Sequence, residues 1–235
     1  MVLWLSYLVT LSLYAVAFGS YGLTLFPQGH ESWLRPVLIS AAIILPIVIN
    51  LLSAEVVSRS ETLIVVLKLV LLAAVVTAGL RYVETARFSP ATWGSPGSIV
   101  AAGMAIFVAY EGFELIANAS GDVRDPPRTL PRAFFGAVVL VLILYVTVAL
   151  VTVGTVSESR IAQVKDYALA EAARPAMGQL GFTLVAVSAL LATFSAINAT
   201  LYGSARLGFA LARDGELPEA LEKKAWNEPV AGVLI

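Results

Sequence analysis

Residues 98–122 read SIVAAGMAIFVAYEGFELIANASGD. The stretch is long and apolar enough for a helix to cross the ~30 Å hydrocarbon core of a bilayer. Yet Gly103 and Gly112 flank its middle, and Glu111 and Glu114 lie beside Gly112 at the same depth. Carboxylates there are unfavourable unless paired, protonated or turned to a cavity. Glycine at the same depth weakens the helix. The combination predicts a span broken near its middle, whose freed carbonyls and amides can hold a polar substrate at the bilayer midplane. The plain alternative is an intact helix, with Gly for close packing and both Glu side chains leaning to one interface. Glu111 argues against it, lying ~13 residues, about 20 Å, from Ser98 and so not at an end.

The rest of the chain points to the same setting. Of 235 residues, 59% are apolar and 13% charged, with a mean hydropathy of +0.86. Soluble domains are ~45–50% apolar and ~25% charged, so a water-soluble enzyme is excluded as the leading reading. There is no Cys, hence no disulfide framework, thiolate metal site or Cys nucleophile. His30 is the single His, which argues against a His-rich metal site or a Ser-His-Asp system. Lys and Arg number 15 against 16 Asp and Glu, so no basic field awaits a nucleic acid. The opening MVLWLSYLVT lacks a basic n-region and reads as a span rather than a signal peptide.

Six low-charge windows read as spans: Val2 to about Phe26, Pro36 to about Ser53, Thr62 to Leu80, Ser98 to Ser120, Ala133 to Val156, and Pro175 to Ala205 with a helical tail to about Ala212. The segment Pro229 to Ile235, PVAGVLI, reads as the first turns of a seventh, reaching only about 10 Å. The expectation is a chain truncated there. Lys and Arg count six in the loops after spans one, three and five, and eight in the others. The densest short loop carries Arg124, Arg128 and Arg132, and that side is assigned to the cytoplasm. The loop from Ser157 to Arg174 then lies outside, with Ile161, Val164, Ala168 and Leu169 spaced for a short surface helix.

Lys68 is the charge inside the third window. It lies about 9 Å along the helix from Thr62, nearly within reach of a snorkelling stem. Either it bends back to the interface, or it is a buried ammonium that gains and loses a proton during a transport cycle. In the sixth window Ser188, Thr193, Ser195, Asn198, Thr200 and Ser204 supply small polar groups. Most such groups bond their own i−4 carbonyl or pack against a neighbour. Tyr14 fits packing or a cavity equally, and His30 is assigned no role.

Three motifs now resemble one family. Phe107–Arg132, FVAYEGFELIANASGDVRDPPRTLPR, resembles the sixth helix and following loop of amino-acid permeases of the amino acid–polyamine–organocation superfamily. Phe194–Pro218, FSAINATLYGSARLGFALARDGELP, resembles their eighth helix and its end, with Arg206 and Arg213-Asp214-Gly215 in place. Asn50–Leu72, NLLSAEVVSRSETLIVVLKLVLL, is similar to their fourth-to-fifth helix junction, with Lys68 at the position of the fifth-helix Lys of proton-dependent members. The resemblance extends over essentially the whole chain.

The resemblance implies an all-α, multi-pass transmembrane bundle: a six-span part of the LeuT-type fold with its two inverted five-helix repeats. The chain would be one permease domain, truncated at both ends, running from the third helix to the start of the ninth. Phe107, Val108, Ala109, Tyr110, Glu111 and Gly112 would form the substrate segment, binding the ammonium of an amino acid or related amine through backbone carbonyls. The amides that bind its carboxylate belong to a first helix not in this sequence. Lys68 and Ser195 would occupy the site where sodium-coupled relatives hold a cation, and serve ion or proton coupling. Local departures are Val108 where relatives often carry a gating aromatic, Gly121-Asp122 for an acidic pair, and Asp125-Pro126 for Asn-Pro. Glu111 is acidic where many relatives are apolar, which would favour a cationic substrate.

The implied activity is secondary transport, proton-coupled or by exchange, in the cytoplasmic membrane, with no cofactor and no metal. The partners are the substrate, protons or an exchanged solute, the lipid bilayer and the missing helices of a split permease. Two other readings stay open: a non-transporting remnant or accessory subunit of the same fold, and a membrane channel or enzyme. The last should show a filter loop or a His, Cys or Asp cluster, and neither is visible.

Overall fold

The structure is a computed structural model describing residues 2–26, 31–52, 54–110, 112–113, 115–118 and 123–218. Among the described residues it is helical, without strands. The helices are α1 (Val2–Leu23), α2 (Glu31–Leu52), α3 (Ala54–Gly79), α4 (Pro96–Ile106), α5 (Leu115–Asn118), α6 (Pro126–Thr155), α7 (Glu158–Val164) and α8 (Ala168–Arg213). Among the described residues five stretches are long and apolar enough to cross a membrane: Val2–Leu23, Ser32–Ile49, Thr62–Tyr82, Pro126–Thr155 and Glu158–Arg213. The sequence windows predict six. The difference is the fourth window, which the structure divides into α4, a tight 3-10 turn at Phe107–Tyr110, and the short α5.

Helix boundaries also move from the charge-based windows. α6 begins at Pro126 rather than Ala133, since proline at the first helical positions needs no amide partner. Asp125 before it is left-handed, with φ 53°, and turns the chain sharply into the helix. α3 starts at Ala54, so the charged run before Thr62 is helical too. α8 starts at Ala168 and passes Gly178 in a non-helical conformation (φ 60°, ψ −147°) before the long span. That backbone region is essentially reserved for glycine. Ser157 starts α7 by accepting the Arg160 amide at 3.4 Å.

α8 is the centre of the bundle, with α1 and α3 against it and α2 against α1. One core joins Leu11 and Ala15 of α1, Ala42 of α2, and Ile197 and Leu201 of α8. A second joins Val75 of α3 to Ala170, Ala173, Phe182 and Val185 of α8. Lipid is as apolar as Leu, so these contacts depend on close van der Waals packing rather than on escape from water. Small residues make that packing possible. A Cβ on Gly19 would come within 2.7 Å of Ile39, and one on Gly79 within 2.6 Å of Val151. α6, by contrast, buries only Val151 and Gly154 among its described residues, and exposes Phe135, Val139, Ile143 and Val146. Such a surface fits a helix that meets lipid or other apolar helices.

Polar ties gather where the loops meet. Ser20 Oγ donates to Asp166 Oδ2 at 2.8 Å, and Arg35 pairs with Asp166 at 3.7 Å. Glu171 receives both Arg160 (3.0 Å) and Arg174 (2.8 Å). In the loop after α3, the Glu84 amide donates to the Gly154 carbonyl at 2.9 Å. The Glu84 carboxyl is held below its ordinary value by its hydrogen bond to Arg87.

Candidate functional site: the break in the fourth span

Ser95 opens α4 by accepting the Ser98 amide at 3.3 Å, and Pro96 sets the first turn. The helix tightens at its end, where the Phe107 amide donates to the Met104 carbonyl, three residues back. A 3-10 turn over Phe107–Tyr110 follows. Gly112 then takes φ +107°, a conformation that side-chain-bearing residues rarely adopt. The chain resumes helix only at α5, where the Ile116 amide donates to the Phe113 carbonyl at 3.1 Å. Among the described residues the α-helix therefore stops at Ile106 and starts again at Leu115. Backbone groups in the gap turn to other partners, and the Ala109 carbonyl accepts from the Tyr145 hydroxyl of α6 at 2.9 Å.

Aromatic rings flank the gap. Tyr145 meets Tyr110 edge to face, with centroids 5.3 Å apart, and Tyr110 stacks with Phe113 at 6.2 Å. α5 rests on α6 and α8. α4 has no buried residue, and Phe107 is 76% exposed. A cavity of about 340 Å³ lined by Thr77, Ala78, Arg81, Tyr82 and Ala176 lies between the end of α3 and the first turns of α8, not at the break.

A second polar pair lies in the seam between α3 and α8. Half-buried Lys68 donates from Nζ to Oγ of buried Ser195 at 3.4 Å, a long hydrogen bond. The two residues are 127 positions apart. Among the described residues no group of three His, Cys, Asp or Glu is placed to hold a metal ion.

The structure thus brings Phe107, Ala109, Tyr110 and Gly112 together at the break, with Val108 in the same turn. Glu111, Glu114, His30, Gly121-Asp122 and the Pro229–Ile235 segment lie outside the described residues. Tyr14 packs against the Leu11, Ala15 and Ile197 core. Thr193 bonds its own i−4 carbonyl, that of Ala189, at 2.8 Å. Tyr145 is the neighbour of the break that sequence reading misses. The available signal is its depth: about 15 Å from the end of α6 at Thr155, its hydroxyl needs a partner that lipid cannot supply.

Comparison with known proteins now places the chain. An uncharacterized protein of Methanocaldococcus jannaschii is 34% identical over 234 residues, covering 99% of this chain and 54% of that protein. The inner membrane transport protein YbaT of Escherichia coli is 33% identical over 228 residues, covering 97% and 53%. The serine/threonine exchanger SteT of Bacillus subtilis is 28% identical over 204 residues, covering 86% and 46%. The chain spans about half the length of these curated relatives. A family model described as amino acid permease matches residues 1–235, and that family is made up of transporters rather than enzymes. With its membrane-spanning helices and its match along the whole sequence, this multi-pass chain belongs to the amino acid permease family.

Proposed function

We propose that the chain is part of a single permease domain that carries out secondary transport of amino acids or related amines across the cytoplasmic membrane. The observation that carries this reading is the break at Phe107–Gly112. It takes the backbone out of α-helical geometry within a membrane-spanning window, where a cationic ammonium has few other partners than backbone carbonyls. Phe107, Val108, Ala109, Tyr110 and Gly112 contribute backbone, and Glu111 adds negative charge that favours a cationic substrate. The carboxylate end of the substrate is held by helices outside this sequence, on the same polypeptide or on a second subunit.

Lys68 and Ser195 form the coupling site in this reading. An ammonium inside a span is costly to keep charged and is a functional group by default. Its contact with Ser195 joins α3 to α8 at that group, and transport is either proton-coupled or by exchange. The loop with Arg124, Arg128 and Arg132 faces the cytoplasm.

The test is uptake of labelled L-serine, L-leucine and L-arginine by the full-length protein in liposomes, with and without an inward proton gradient. Saturable uptake accelerated by the gradient is expected. Uptake that needs preloaded amino acid and ignores the gradient would replace proton coupling by exchange. No saturable uptake or binding of any amino acid would overturn the transport reading.

A further inference from the structure

We propose that Tyr145 is a positioning residue for the substrate segment: its hydroxyl fixes the Ala109 carbonyl in the orientation from which that segment receives an ammonium. This rests on the reading of Phe107–Gly112 as the substrate segment. In an unbroken helix the Ala109 carbonyl would accept from the Phe113 amide. Here it accepts from Tyr145 at 2.9 Å, across 36 positions of sequence. A carbonyl has two lone pairs, so the hydroxyl occupies one and leaves the other for a ligand. The edge-to-face contact with Tyr110 at 5.3 Å sets the neighbouring residue, and Tyr110 passes the contact on to Phe113 beyond Gly112.

The mounting of the two partners differs. Tyr145 stands on α6, an uninterrupted helix from Pro126 to Thr155. Ala109 stands in the 3-10 turn where α4 ends. The continuous helix thus positions the interrupted one. The competing account is that the hydroxyl only satisfies itself on the nearest carbonyl, with the ring as packing.

This sequence contains no Cys, so paired spin labels can be placed at Ile99→Cys and Ala117→Cys on either side of the break once any Cys elsewhere in the full-length protein is replaced by Ser. Tyr145→Phe keeps the ring and removes the hydroxyl. In the full-length protein it is expected to shift or broaden the label-to-label distance. It should also raise the half-saturating concentration for L-serine, L-leucine or L-arginine about tenfold, the effect of one misdirected hydrogen bond. Tyr145 with a p-aminophenylalanine replacement, which restores a donor at similar reach, should return both. If Tyr145→Phe leaves distance and affinity unchanged while Tyr145→Leu disturbs them, only packing matters and the proposal fails. If the unaltered protein binds no amino acid, the transport reading fails, and the distance measurement alone still decides whether Tyr145 sets the break.

Discussion

Lys68 and Gly112 act through different physics, and single substitutions separate them. Lys68→Ala removes an ionisable group from the α3–α8 seam. Transport should lose its pH dependence while substrate protection against thermal unfolding survives in part. A normal pH profile in this variant would make Lys68 a snorkelling residue. At Gly112 a Cβ would meet nothing within 4 Å, so crowding is not the obstacle; φ +107° is. Gly112→Ala should therefore weaken amino-acid binding about as much as Gly112→Leu, with strain of order 1–3 kcal/mol forcing the break to move. A silent Ala beside a damaging Leu would restore crowding as the cause. Sequence reading finds Gly112 because glycine beside two carboxylates is anomalous in an apolar window. It does not find Tyr145, since a tyrosine in a span reads as packing and its partner carbonyl lies in another helix.

At the scale of the helix, apolar windows locate the spans because lipid admits little else. Their ends are less legible, because charge marks where lipid stops and not where hydrogen bonding stops. Pro126 illustrates this: it starts α6 in a polar loop, seven positions before the charge-free window opens at Ala133. The packing of α1 on α2 depends on two positions a turn apart, Gly19 against Ile39 and Gly22 against Leu38. Gly19→Leu should lower thermal stability in detergent by roughly 1–3 kcal/mol through overpacking. Gly97→Leu, where a Cβ meets nothing within 4 Å, is the matched control and should change it little. Equal losses in both would mean that helix propensity, not the α1–α2 contact, sets the effect.

For the molecule as a whole, which helix touches which is absent from the sequence pattern. Every span is apolar on several sides, so periodicity does not single out α8 as the helix that α1 and α3 share. The family resemblance supplies helix order and sets Lys68 beside Ser195, while the structure supplies contacts it does not give, such as Tyr145 to Ala109. The loop contacts are equally non-local: Asp166 draws in Ser20 from α1 and Arg35 from α2. Asp166→Asn keeps a hydrogen-bond acceptor but loses the charge. Hydrogen exchange should rise across residues 157–167 and remain unchanged along α3, with a loss of stability of about 1 kcal/mol at most, since Arg35 and Asp166 are half exposed. Exchange that rises along α3 as well would show the loop to be part of one cooperative unit with the spans.

Gly178 carries a consequence for how force travels through this bundle. It divides the 46-residue α8 into an outer segment, tied by Glu171 to Arg160, and the long span that carries Ser195. Helical hydrogen bonding transmits torque along an axis, and a glycine-only conformation interrupts that transmission like a swivel in a shaft. Side chains bridge the gap instead: Tyr167, Ala170 and Ala173 before Gly178 pack against Phe182 and Val185 after it, so a tilt of the hairpin from α7 to the start of α8 reaches the span by sideways contact and not by twisting along its axis.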